Sequence, residues 1–140
     1  RFDTYRTFEV VHEKCIDLKV TVHRGESITK GSRFKDALDT PDPYIVLRIP
    51  QLKFNTPKRT VTQDNCINPR WDQTFNFYLC TNPIEPYVIE IILMDENILK
   101  DEAIDKEYYS LDSLEEGIPK DCTFTFKGNS KVFITFLKQI

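Results

Sequence analysis

The chain predicts an all-β protein, an eight-stranded antiparallel β-sandwich. Three observations carry that expectation. Apolar side chains recur at every second position in six separate segments, the period of a half-buried strand. Clusters of Pro, Asn, Asp and Gly punctuate the segments at short intervals. Only "SLDSLEE" (residues 110–116) and "NILKDEA" (residues 97–103) suit even a helical turn.

The segments follow in order. "IDLKVTVH" alternates strictly, with Ile16, Leu18, Val20 and Val22 on one face and Asp17, Lys19, Thr21 and His23 on the other. "YIVLRI" aligns Ile45, Leu47 and Ile49, and "TFNFYL" aligns Phe75, Phe77 and Leu79. "VIEIILM" aligns Ile89, Ile91 and Leu93. "CTFTF" aligns Cys122, Phe124 and Phe126, and "KVFITFL" aligns Val132, Ile134 and Phe136. Two weaker strands fall in "KRTVTQ" (residues 58–63) and within "AIDKEYYSL" (residues 103–111). Regular strands with turn signals between them read as a sandwich. Residues 1–15 are assigned to a leader or edge segment and 16–140 to the sandwich domain.

Bulk properties narrow the function. A chain of 140 residues suits one domain with a real core. With 40% hydrophobic and 29% charged residues it has a globular rather than a disordered composition. A net charge of −3 gives no global attraction to nucleic acid or anionic membranes, so any such attraction must be local or carried by a bound cation. No apolar run reaches the length of a membrane span, and no signal-peptide pattern opens the chain. The first residue is Arg1 rather than Met, which suggests a piece of something larger. Cys15, Cys66, Cys80 and Cys122 show no C-x-x-C spacing and read as reduced thiols. His12 and His23 accompany no cysteine pair, which argues against zinc.

The acids are not spread evenly. Asp36, Asp39 and Asp42 crowd the loop after the first strong strand. Asp64 and Asn65 lie in a second loop, and Asp95, Glu96, Asn97, Asp101 and Glu102 follow "IEIILM". Alternate loops of an antiparallel sandwich emerge at one end, so these three loops are expected to meet. Hard oxygen donors converging from several loops suit Ca²⁺, which takes six to eight of them in flexible geometry. The spacing is not that of an EF-hand. The competing reading is ordinary solvated turns, since Asp and Asn favour turns in any case. Pro41 and Pro43 stiffen the first loop.

Two of these loops also carry apolar residues with no evident core role: Phe34, Ala37 and Leu38 in the first, Ile98 and Leu99 in the third. Apolar tips beside a cation site imply a partner, and a bilayer is the natural one. Empty, the carboxylates repel anionic lipid; two Ca²⁺ ions reverse the local charge and let the tips insert. The alternative is that Phe34 and Leu38 fold back on the sandwich rim.

At this point the chain resembles the calcium- and lipid-binding C2 domain of the cytosolic (group IV) phospholipases A2. The resemblance rests on "KGSRFKDALDTPDPYIVLRI", "PKRT", "NCINPRWDQTFNF" and "IEIILMDENILKDEAI", within residues 16–105. It implies the type II strand order and two Ca²⁺ ions. Carried over by position, the implied ligands are Asp39, Thr40 (backbone), Asp42, Asn65, Asp95, Glu96 (backbone) and Asn97, with Asp36 and Asp101 as neighbours or outer groups. Phe34, Ala37, Leu38, Ile98 and Leu99 fall where the family inserts side chains into the bilayer.

The chain departs from the family at several positions. Ile98 stands where the best-known member has a tyrosine that packs on choline, and Lys100 replaces an apolar residue. Both changes shift the expectation from phosphatidylcholine towards anionic lipid. Lys58 and Arg59 keep part of a basic groove suited to a phosphorylated lipid head group, while Pro57 removes one of its charges; the alternative is a solvated basic strand.

The expected function is therefore a binding module, a monomer that moves from the cytoplasm to membranes with calcium. It would target a phospholipase A2-type or acyltransferase domain beyond Ile140. No G-x-S-x-G elbow argues for catalysis within the chain. The alternative function is a Ca²⁺-independent protein-interaction sandwich.

Overall fold

The computed structural model describes residues 15–30, 40–52, 57–80 and 85–140. The early segment "TFEVVHE" and the loop residues 31–39 lie outside them. Among the described residues eight strands appear: β1 (Cys15–Glu26), β2 (Pro43–Arg48), β3 (Lys58–Arg59), β4 (Arg70–Cys80), β5 (Val88–Asp95), β6 (Glu102–Ser110), β7 (Lys120–Phe126) and β8 (Ser130–Gln139). They form two four-stranded sheets, ordered β4-β1-β8-β7 and β3-β2-β5-β6, with every pairing antiparallel.

The alternating segments bury the faces their period marks. Leu18, Val20 and Val22 of β1, Ile45 and Leu47 of β2, and Ile89, Ile91 and Leu93 of β5 are fully enclosed. Phe77 and Leu79 of β4 and Val132, Ile134 and Phe136 of β8 join them, so the core fills the space between the sheets. Tyr109 of β6 stacks on Phe136 with ring centroids 4.9 Å apart and meets Phe124 edge-on at 5.9 Å, tying the two sheets together.

The weaker expectations need adjustment. The strand anticipated over 58–63 is only Lys58–Arg59, because beyond it Thr60 turns its hydroxyl inward to accept the Ile45 N–H at 2.9 Å. Within 110–116 the helical turn is a single 3₁₀ turn, Leu111–Ser113, whose Leu111 caps the core. The stretch 97–103 forms no helix and enters β6 at Glu102.

A β-bulge near the end of β1 prepares the functional end. The register to both β4 and β8 shifts between Val22 and Arg24. Alternation is thereby broken: Arg24 faces solvent and Gly25 turns inward. The Gly25 N–H donates to the Pro69 carbonyl at 2.8 Å, and a Cβ here would lie 3.0 Å from both Ile28 Cδ1 and Pro69 Cγ. A side chain here would press on Ile28 and Pro69 and force them to shift, so glycine suits the point where the first loop runs close to the second.

Candidate metal- and membrane-binding loops

Backbone hydrogen bonds draw three loops together at one end. The first is 27–42, after β1; the second is 60–69, before β4; the third is 96–101, after β5. Ile28 N–H donates to the Ile67 carbonyl at 2.8 Å, and Cys66 N–H to the Pro41 carbonyl at 3.1 Å.

Asp42 joins all three. Its carboxylate Oδ1 accepts the Asn65 N–H at 2.6 Å, and its carbonyl accepts the Glu96 N–H at 2.9 Å. Its own N–H donates to Asp95 Oδ1 at 2.8 Å. Asn65 adopts a left-handed backbone (φ 48°), which asparagine tolerates better than most residues. That conformation turns its N–H towards Asp42.

Asp95 ends β5, and its side chain is only 2% exposed. While Oδ1 is held by Asp42, Oδ2 is buried and accepts no aligned hydrogen bond among the described residues. A charged nitrogen lies close by: Lys30 Nζ, 3.1 Å from Oδ2. Asp101 has a different role, closing the third loop on itself. Its Oδ1 accepts the Asn97 N–H at 3.1 Å and its Oδ2 accepts the Tyr44 hydroxyl at 2.6 Å.

Tyr44 and Arg59 brace this loop from below. The Arg59 guanidinium stacks on the Tyr44 ring at 3.7 Å, donates to the Thr60 carbonyl and the Thr62 hydroxyl, and lies 3.7 Å from the Glu96 carboxylate. Much of the donor capacity of Arg59, one of the two anticipated groove cations, is therefore directed into the protein. Neither Tyr44 nor Lys30 was singled out from sequence. Neither carried a local signal: Lys30 is one of three cations, with Arg33 and Lys35, that precede the acids of the first loop.

The Tyr44–Asp101 bond has a titration signature. Burial first, then the Asp101 hydrogen bond and charge, push the Tyr44 phenol up to about 12 from its ordinary 10.0. The same bond, helped by the Asn97 N–H, holds the Asp101 carboxyl below its ordinary range. A raised tyrosine keeps its proton in the folded state where the unfolded chain has lost it. Its contribution to stability is therefore whole below pH 10 and falls as pH rises towards 12. The depressed Asp101 acts at the other limit, contributing above its unfolded value of 3.8 and fading as pH falls through its lower folded value. Tyr44→Phe is expected to flatten the alkaline loss of stability relative to wild type, read by denaturant melts at pH 9, 10 and 11. Equal slopes for the two proteins would count against the bond.

The apolar tips differ in what can be said of them. Ile98 and Leu99 are fully exposed, at 103% and 99%. Lys100 beside them is exposed as well. Phe34, Asp36, Ala37, Leu38 and Asp39 lie outside the described residues. Thr40 is exposed at the end of the first loop, and Asn97 is half-buried. Among the described residues, no group of three or more His, Cys, Asp or Glu side chains is arranged to hold a metal ion. Of the anticipated ligands that are described, the side-chain carboxylates are Asp42 and Asp95; Asn65 meets Asp42 through its N–H, and Asn97 lies two residues beyond Asp95.

A cleft of about 500 Å³ opens on the outer face of the β4-β1-β8-β7 sheet, lined in part by His23, Arg24, Arg70, Asp121 and Thr135. The Thr135 hydroxyl donates to Asp121 at 2.6 Å and so accepts from His23 Nε2 at 2.7 Å. A nucleophilic hydroxyl would instead donate to the imidazole. Among the described residues, none of the loop acids lines this cleft.

The sandwich with its three stitched loops defines a recognised class of binding domain. The C2 domain family model matches residues 8–126, and the chain belongs to that family. It is 32% identical over 108 residues to human cytosolic phospholipase A2 zeta, an alignment covering 77% of this chain and 12% of that protein. The chain thus spans about an eighth of the length of that relative. Among solved structures it resembles human GIVD cytosolic phospholipase A2 in complex with methyl gamma-linolenyl fluorophosphonate, with TM-score 0.77, 23% identity, 90% of this chain and 17% of that one. It also resembles the calcium-bound tandem C2 domains of extended synaptotagmin 2, with TM-score 0.71, 19% identity, 87% of this chain and 45% of that one. Both structural likenesses bear on the fold alone.

Proposed function

We propose that this C2 domain is a calcium-dependent phospholipid-binding module that carries an attached phospholipase A2-type catalytic domain to membranes. The observation that carries the reading is Asp95. Its buried Oδ2 accepts no hydrogen bond among the described residues, at the point where three loops converge and beside two fully exposed aliphatic tips. A buried anionic oxygen that accepts no aligned hydrogen bond, with a lysine ammonium 3.1 Å away as its countercharge, is chemically suited to a hard cation.

The Ca²⁺ ligands are assigned to the Asp39, Asp42 and Asp95 carboxylates, the Asn65 and Asn97 amides and the Thr40 and Glu96 carbonyls. Asp36 and Asp101 lie outside this set, and in Asp101 both oxygens already accept hydrogen bonds. Two ions are expected. The calcium supplies positive charge that bridges the loops to lipid phosphate. Phe34, Ala37, Leu38, Ile98 and Leu99 then enter the apolar layer. Lys100 and Lys58 favour anionic head groups, with Arg59 a weaker contributor because of its internal contacts. The protein is read as a cytoplasmic monomer until calcium rises.

Similarity to cytosolic phospholipase A2 zeta supports the attached lipase, and membership of the C2 family supports the ion. Co-sedimentation with liposomes tests the proposal, run with Ca²⁺ and with chelator, on phosphatidylcholine and on vesicles containing phosphatidylserine. Pelleting only with Ca²⁺ is expected, and more of it with phosphatidylserine. Equal recovery in the supernatant under all four conditions would move the assignment to a calcium-independent protein-interaction sandwich.

A further inference from the structure

Lys30 lies four residues beyond the end of β1, at the base of the first loop. Its side chain is 19% exposed and its ammonium is 3.1 Å from Asp95 Oδ2. The other Asp95 oxygen already accepts the Asp42 N–H. Because Oδ2 accepts no aligned hydrogen bond among the described residues, the Lys30 contact there is coulombic. A carboxylate buried this deeply needs a countercharge, and Lys30 supplies one from the chain itself.

We propose that Lys30 is a built-in rival of Ca²⁺ at Asp95. It neutralises the carboxylate in the metal-free protein and withdraws when the ion binds, so it sets the calcium affinity of that half of the site. This rests on the calcium reading above and names a residue that controls it.

Three physical points support exchange over a fixed structural pair. Ca²⁺ and an ammonium cannot both occupy the approach to Oδ2 without strong like-charge repulsion in a poorly screened setting. Lysine carries its charge on a flexible four-carbon stem that readily returns the head to water. The partial exposure of Lys30 gives that stem a route outwards. Part of the calcium binding free energy then goes into breaking the ion pair, which lowers the apparent affinity.

Calorimetric Ca²⁺ titration of the wild type, Lys30→Met and Lys30→Arg tests this. Lys30→Met is expected to bind Ca²⁺ about tenfold more tightly, as removal of one near like charge would produce. Lys30→Arg, which keeps the charge, should stay closer to wild type. Metal-free Lys30→Met should melt at a lower temperature than wild type, yet gain more on adding Ca²⁺. A purely structural lysine predicts the same drop in melting temperature with and without Ca²⁺ and no gain in affinity; that result overturns the proposal.

If neither wild type nor Lys30→Met binds Ca²⁺, the calcium reading fails and takes this inference with it. A silent wild type with a binding Lys30→Met supports the inference. Should Lys30→Met not fold, the wild type decides through acetylation of Lys30 followed by mass spectrometry. Lys30 should react faster once Ca²⁺ is present, and an unchanged rate overturns the exchange.

Discussion

Asp95→Asn is expected to reduce calcium-dependent liposome binding to the level seen with chelator while leaving the sandwich intact. The substitution is nearly isosteric. An amide oxygen can replace Oδ1 as acceptor for the Asp42 N–H, so the link between the first and third loops survives. The amide nitrogen then points to where Oδ2 lay. It offers donors instead of an anionic oxygen, and it faces the Lys30 ammonium. A hard cation loses the buried ligand that best suits it. The fold loses one ion pair but also the cost of keeping a charge buried, and these effects largely offset one another. Co-sedimentation, with circular dichroism as the control for folding, reads both parts. Retained Ca²⁺-dependent pelleting by a folded Asp95→Asn protein would remove Asp95 from the site.

The second large effect is expected at the tips. Ile98 and Leu99 touch almost nothing in the isolated domain, so Ile98→Ala with Leu99→Ala should not change its melting temperature. Full burial of a large aliphatic side chain contributes about 1.5–3 kcal/mol. If each tip buries about half of its surface in lipid, the pair contributes roughly 2 kcal/mol, or about 30-fold in membrane affinity. Calcium binding in solution should be unaltered, because neither side chain offers a ligand atom. Unchanged liposome affinity for the double variant would place the contact elsewhere on the surface.

The sandwich was legible because its evidence is periodic. Six segments alternate over enough residues that only one face can be the core, and the buried apolar side chains of β1, β5 and β8 are those the alternation marks. β3 was overextended for a physical reason. Its two residues pair only at Val46–Arg59 and Leu47–Lys58, and the following Thr60 uses its hydroxyl where a longer strand would continue the ladder.

The meeting of the acidic loops was also readable, since antiparallel topology fixes which connections share an end. What was not readable is how each acid is used. Asp42 and Asp101 look alike in the chain, yet Asp101 accepts from Tyr44 across the fold and Asp42 accepts from the second loop. Such assignments depend on partners far away in sequence, 57 residues in the case of Tyr44 and Asp101 and 65 for Lys30 and Asp95, a separation that local pattern does not carry.

The three bonds made by Asp42 also bear on how such a domain can be rebuilt. One residue holds the second loop by its carboxylate and the third by its carbonyl, while its N–H reaches the end of β5. The loops are therefore not interchangeable cassettes. Transplanting a single loop from a relative would break hydrogen bonds that span two others, and the misfit would appear even where the sequence was untouched. A chimera that changes the lipid preference of this domain should move all three loops as one block, with Gly25 and Pro69 kept beneath them.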